Sequence, residues 1–226
     1  MKILNKIYSL FAIFILFIIA AFFVLCMKIF PSKQRKIRRI IAKLPRLFVS
    51  YKLEIEGKLD EDAQMFILNH QSLLDILLFD ELHPKDTSWV AKRELAKVPL
   101  LGAGFKSSGC ILIDRKNPRE IVHILKSAKE KIAQNKAIMI FPEGTRSKGD
   151  KLLKFQPGAQ IIANKLGLKV QPALIVGSRN IFDSKKLLLH SGVVKIIFLP
   201  SFVADGSEFL EPLRTQMQEL LSKNLA

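Results

Sequence analysis

Residues 7–27 form one apolar run without a charged side chain. About 20 such residues are enough to cross a bilayer as a helix. A signal peptide has an apolar core of only about 7–15 residues followed by a small-residue cleavage site. Here Cys26-Met27-Lys28-Ile29-Phe30 follows instead, so the run reads as a retained anchor. Just beyond it, Ile37, Ile40, Ile41, Leu44, Leu47 and Phe48 recur at helical spacing among basic residues, the pattern of an amphipathic helix lying on a membrane face. From Tyr51 onward the pattern alternates. Strands are predicted at 53–55, 65–68, 88–91, 111–113, 138–141, 170–175 and 193–199, and helices at 73–79, 119–134, 159–166 and 207–223. Such alternation predicts an α/β domain over 51–226, a mixed, mostly parallel sheet flanked by helices, behind an N-terminal membrane-anchoring helical segment over 1–50.

Composition sharpens this picture at the front end. The 226 residues suffice for one domain with a full core plus an appendage, and the mean hydropathy of +0.22, high for a soluble chain, traces to the anchor. Lys and Arg number 36 against 20 Asp and Glu, a net charge of +16. Lys2 and Lys6 precede the apolar run, and Lys28, Lys33, Arg35, Lys36, Arg38, Arg39, Lys43 and Arg46 crowd after it. The positive-inside bias therefore puts the main domain on the cytoplasmic side of a bacterial inner-membrane type of bilayer. Each exposed cation gains about 1 kcal/mol at most against an anionic membrane surface. Nucleic acid is not expected as a partner, because the charge is juxtamembrane and no stacking or helix-turn-helix pattern accompanies it. Two cysteines, one of them inside the apolar run, support no disulfide framework. His70, His83, His123 and His190 are scattered without ligand spacing, so no metal is expected.

Chemistry collects where predicted strands end. The run 65–68 leads into Asn69-His70-Gln71-Ser72-Leu73-Leu74-Asp75, with Ser72 a candidate helix N-cap, His70 in the loop and Asp75 in the first turns of the helix. A carboxylate there can accept the Nδ1 proton, fix the tautomer and leave Nε2 free as a general base. A loop histidine beside a helix-capping acid has the same spacing, so the rest of the chain has to decide. The run 111–113 ends on Asp114-Arg115, and 138–141 ends on Pro142-Glu143-Gly144-Thr145-Arg146-Ser147, where Pro142 stops the ladder and Gly144 permits a tight turn. If these ends share one rim, Arg115 and Arg146 could grip a phosphate between them.

Asn69-His70-Gln71-Ser72-Leu73-Leu74-Asp75 resembles the first motif of the glycerolipid acyltransferases. Gly109-Cys110-Ile111-Leu112-Ile113-Asp114-Arg115 resembles the second, Phe141-Pro142-Glu143-Gly144-Thr145-Arg146-Ser147 the third and Val170-Gln171-Pro172-Ala173 the fourth. Trp89-Val90-Ala91-Lys92-Arg93-Glu94-Leu95 and Lys154-Phe155-Gln156-Pro157-Gly158-Ala159 are similar to the linking segments, so the likeness runs from about 51 to 199.

The resemblance implies the glycerolipid acyltransferase fold and transfer of a fatty acyl group, carried by coenzyme A or acyl carrier protein, to the sn-2 hydroxyl of a lysophosphatidate. The product is phosphatidate for phospholipid synthesis, and no cofactor is implied beyond the thioester donor. It makes His70 the general base and Asp75 its partner. Arg115, Glu143 and Arg146 fall at positions associated with glycerol phosphate binding, with Gly144 and Thr145 shaping that loop and Lys92 a further phosphate candidate. Lyso-ornithine lipid, another lysophospholipid or glycerol 3-phosphate are alternative acceptors, and a non-catalytic lipid-binding protein is the alternative outside enzymes. Two residues depart from the family pattern. Gln171 replaces an apolar residue before the proline, and Cys110 opens a route through a covalent thioester, although a cysteine at the head of an apolar strand is ordinarily packing. A lipase-type Gly-x-Ser-x-Gly elbow is absent.

Overall fold

Met65, Phe66, Ile67 and Leu68 are all fully buried, which an apolar run achieves only in mid-sheet with both faces covered. A computed structural model describes residues 2–98, 101–114, 117 and 120–225. In it this run is strand β2 (Met65–Leu68), at the centre of an eight-stranded sheet. The strands are β1 (Tyr51–Glu56), β2, β3 (Asp86–Lys92), β4 (Ile111–Ile113), β5 (Lys136–Ile140), β6 (Lys169–Val176), β7 (Phe182–Asp183), β8 (Leu188–Leu189), β9 (Gly192–Phe198) and β10 (Phe202–Val203). The helices are α1 (Lys2–Ile29), α2 (Gln34–Lys43), α3 (Leu74–Leu82), α4 (Leu101–Ser107), α5 (Glu120–Ala133), α6 (Gly158–Leu166), α7 (Ser178–Ile181) and α8 (Leu210–Leu225).

The spatial order is β1-β9-β6-β2-β5-β3-β4, with β10 on β6 and a separate β7–β8 hairpin. β6, β2, β5, β3 and β4 pair in parallel, whereas β9 pairs antiparallel to β6 and carries β1 with it. Five strands therefore deliver their C-terminal ends to one rim, where α/β sheets bind ligands. Alternate residues feed two cores. Met65, Ile67, Ile138, Ile140 and Val170 pack under α5, α6 and α8 with Ile124, Ile162 and Met217. Phe66, Leu68, Met139 and Ile175 pack under α3 with Leu74, Leu78 and Phe79. The expected mostly parallel α/β sheet is thus present, and the fourth-motif Gln171 is part of its frame. Its buried amide bonds the backbone at Lys58, Asp60 and Leu199 near the start of β6, away from the rim.

Three features differ from the sequence reading. Helix α4 was not predicted, because Gly102 and Gly104 weaken local propensity. Packing requires the first of them, since a Cβ on Gly102 would sit 2.1 Å from the Ala96 carbonyl oxygen, whereas one on Gly104 would lie in ordinary contact with Val24 of α1 at 3.4 Å. Helix α1 does not stand off the domain. Ser9, Ala12, Val24 and Met27 are buried, Ser9 Oγ accepts from the Leu189 N–H and Tyr8 donates to the Phe48 carbonyl, while Phe11, Phe14, Phe17 and Phe22 face outward. Arg38, counted among the membrane-facing cations, is turned inward, paired with Asp80 and Asp86.

Candidate active site

The chain leaves β2 at Leu68, and a buried amide sets the next turn. Asn69 acts as a backbone surrogate, donating from Nδ2 to the Ile175 carbonyl at 2.9 Å and accepting the Ile175 N–H at 2.6 Å. That double link to β6 ejects the chain at His70. Asp75, one residue into α3 and fully buried, reaches back. Its Oδ2 lies 2.8 Å from His70 Nδ1 and accepts the N–H groups of Gln71 (2.7 Å) and Ser72 (2.8 Å). One carboxylate oxygen thus orients the imidazole and satisfies two orphan donors at the helix start, where negative charge is favoured. Ser72 caps the helix as expected: its hydroxyl accepts the Leu74 N–H at 3.2 Å, Leu73 between them is already in the right-handed helical conformation, and Asp75 reaches back to the Ser72 N–H. The same hydroxyl donates to the Phe182 carbonyl at 2.7 Å.

With Nδ1 committed, Nε2 is the edge that no hydrogen bond from the described residues occupies, and the side chain is 13% exposed. An imidazole held this way is a base with a fixed tautomer and one open nitrogen.

The third-motif loop closes over this turn. The Ser147 N–H donates to the His70 carbonyl at 2.8 Å. Glu143, 5% exposed, accepts the His70 N–H on Oε1 and the Leu153 N–H on Oε2, both at 2.7 Å. Burial pushes its carboxyl up to about 7 against the pull of those two N–H groups, and Asp75 nearby adds to the push. Between about pH 4.5 and 7 the native chain therefore holds a proton that the unfolded chain has lost, so stability falls as pH rises through that window, by roughly 3 kcal/mol in all. Urea midpoints of wild type should fall between pH 5 and pH 8 by more than those of Glu143→Gln, which lacks the titration; equal falls would place the titrating group elsewhere.

A cleft of about 520 Å³ opens at the same rim, lined by Lys92 at the end of β3, Phe141, Glu143, Gly144 and Thr145, with Ile113, Ile124 and Ile140 as apolar wall. Lys92, Glu143, Gly144 and Thr145 thus meet as the sequence suggested. Arg146 does not line this cleft; it is half-buried and donates to the Ser184 hydroxyl. Arg115 lies outside the described residues, so the pairing of Arg115 with Arg146 lies outside them too.

Sequence reasoning missed Arg179, at the start of α7, which donates to the Ser147 carbonyl at 2.8 Å and pairs with Asp183 at 3.2 Å. No local motif flags it, since the partner that ties it to the site, the Ser147 carbonyl, comes from the distant third-motif loop, while Asp183 lies only four residues on. Cys110 is remote from the rim. It precedes β4, at the opposite end of the parallel strands, and burial pushes its thiol up, the reverse of what a reactive cysteine needs.

Residues 50–176, more than half of the chain, match the acyltransferase family model. The chain is 44% identical over 170 residues to the 1-acyl-sn-glycerol-3-phosphate acyltransferase of Helicobacter pylori, covering 74% of this chain and 72% of that protein. It is 30% identical over 200 residues to a chloroplastic 1-acyl-sn-glycerol-3-phosphate acyltransferase of Arabidopsis thaliana, covering 84% of this chain and 56% of the plant protein. The crystal structure of the 1-acyl-sn-glycerophosphate acyltransferase of Thermotoga maritima superposes with a TM-score of 0.72 at 25% identity, covering 99% of this chain and 95% of that one.

Proposed function

Because the chain belongs to the acyltransferase family, we propose that it moves a fatty acyl group from a thioester donor to the sn-2 hydroxyl of 1-acylglycerol 3-phosphate, forming phosphatidate. The observation that carries this is the His70–Asp75 pair, fixed at the rim next to a cleft that a lysine helps to line. His70 Nε2 takes the hydroxyl proton as the oxygen attacks the thioester carbonyl, while Asp75 holds Nδ1–H and offsets the charge of the imidazolium. The C–O bond forms, the C–S bond breaks, and the imidazolium returns its proton to the departing thiolate. N–H groups are spent on Asp75 at Gln71 and Ser72, so the oxyanion must draw on other donors.

Lys92 supplies positive charge inside the cleft for the acceptor phosphate, and Arg146 joins it by leaving Ser184. Arg146→Ala should chiefly raise the KM for lysophosphatidate, by roughly tenfold for the loss of one charge-assisted contact, with kcat little changed. Initial-rate kinetics over a range of acceptor concentration measure this, and equal use of an acceptor without phosphate would contradict a clamp there. The outward phenylalanines of α1 lie in the bilayer in this reading, with Arg35, Lys36 and Arg39 of α2 toward anionic headgroups and the site on the cytoplasmic side.

The test is an acceptor panel with the purified protein in detergent: lysophosphatidate, lysophosphatidylcholine and glycerol 3-phosphate, each with oleoyl-CoA and oleoyl-acyl carrier protein. Lysophosphatidate should be preferred with at least one donor. Preference for glycerol 3-phosphate or for the zwitterionic lipid would overturn the acceptor assignment.

A further inference from the structure

The imidazole of His70 lies flat on the ring of Phe141, with centroids 3.9 Å apart and planes 9° from parallel. Phe141 in turn stacks on Trp89 at 5.0 Å and 24°. Trp89 is 4% exposed, and its Nε1–H donates to Asp80 Oδ1 at 3.1 Å, an oxygen that also accepts the Thr87 hydroxyl. Arg38 of α2 closes the far end of this series. Its Nε lies 3.8 Å from Asp80 Oδ2, its Nη1 donates to the Ser108 carbonyl at 2.9 Å, and its Nη2 pairs with Asp86. Asp86 also takes Lys136 at 2.8 Å.

We propose that Phe141 and Trp89 are positioning residues for His70, held from beneath by Asp80 and Arg38, so that the basic helix α2 belongs to the framework that aims the imidazole. The inference rests on His70 acting as the base. The Asp75 hydrogen bond pins the ring at one point and leaves it free to tilt about that contact. A parallel ring in van der Waals contact removes the tilt and covers one face, so substrate meets the Nε2 edge. Offset aromatic pairs are favourable enough to hold such a geometry, and misaligning a base by a fraction of an ångström is costly to rate. The buried Arg38 accounts for a cation that the membrane reading leaves without a purpose.

Phe141→Leu and Trp89→Leu should each lower kcat by roughly tenfold with the KM for lysophosphatidate within about twofold, while Trp89→Phe, which keeps an aromatic ring, should recover most of the rate. In protein labelled at histidine, the His70 ring protons should show the upfield ring-current shift of a stacked imidazole in wild type and lose it in Phe141→Leu. Melting curves identify any variant that has not folded, and the resonance shift in Phe141→Leu then stands as the second measurement. A folded Phe141→Leu with unchanged kcat overturns the proposal, as does a rise in KM alone, which would make Phe141 a substrate contact. His70→Ala separates the two readings. If it is inactive while Phe141→Leu is fully active, only the positioning role fails; if it retains activity, the assignment of the base fails.

Discussion

His70→Ala should lower kcat for phosphatidate formation by roughly 10²–10⁴-fold, the contribution of a positioned general base. Nothing in the fold depends heavily on the imidazole itself. The loop is fixed by its backbone, through the His70 N–H on Glu143 and the His70 carbonyl on Ser147, and by the Asn69 amide on β6. The alanine variant should therefore melt near wild type and bind lysophosphatidate with little change, so the loss belongs to the chemical step. A variant that folds and keeps most of its rate would remove His70 from the reaction.

Asp75→Asn should be nearly as damaging, and in two ways that separate experimentally. The amide oxygen can occupy the Oδ2 position and still accept from Nδ1, Gln71 and Ser72, but without the charge that makes those bonds strong. The amide nitrogen then falls where Oδ1 is buried without a hydrogen-bond partner among the described residues. That position is unpaired in wild type as well, so the stability lost is that of trading hydrogen bonds to a charged acceptor for bonds to a neutral one, about 1–3 kcal/mol. The imidazolium formed during the reaction also loses its counter-charge, and kcat should drop by roughly 10²-fold or more. Urea midpoints report the first effect and single-turnover rates the second. A rate close to wild type in a destabilised variant would reduce Asp75 to a helix-start residue that happens to touch the ring.

The parts of the molecule that could be read in advance are those written in local pattern. β2 and β5 announce themselves because strands buried on both faces need continuous apolar runs, and His70 and Asp75 are five residues apart across a strand-to-helix turn. The rest is set by partners distant in the chain. Arg38 looks like one cation in a membrane-facing row, and only Asp80 and Asp86, brought up by α3 and β3, turn it inward. Trp89 reads as strand packing until Phe141 stacks on it, with His70 on Phe141 in turn. The third motif predicts Glu143 and Arg146 at a loop tip but does not determine their directions: Glu143 turns inward to the His70 and Leu153 N–H groups, and Arg146 goes to the Ser184 hydroxyl. Helix α4 follows the same rule, since Gly102 is set by close approach to the Ala96 backbone rather than by helix propensity.

In the proposed reaction a histidine held by one carboxylate transfers the acyl group directly to a lysophosphatidate hydroxyl. Intact-protein mass spectrometry together with product analysis, on the purified chain given oleoyl-CoA first alone and then with lysophosphatidate, distinguishes this from every route through an acylated protein. Direct transfer gives no mass increase on the protein and no thiol release with the donor alone, then phosphatidate and free coenzyme A in equal amounts once the acceptor is added. An oleoyl group on the protein before the acceptor arrives, or thiol release without phosphatidate afterwards, would contradict it.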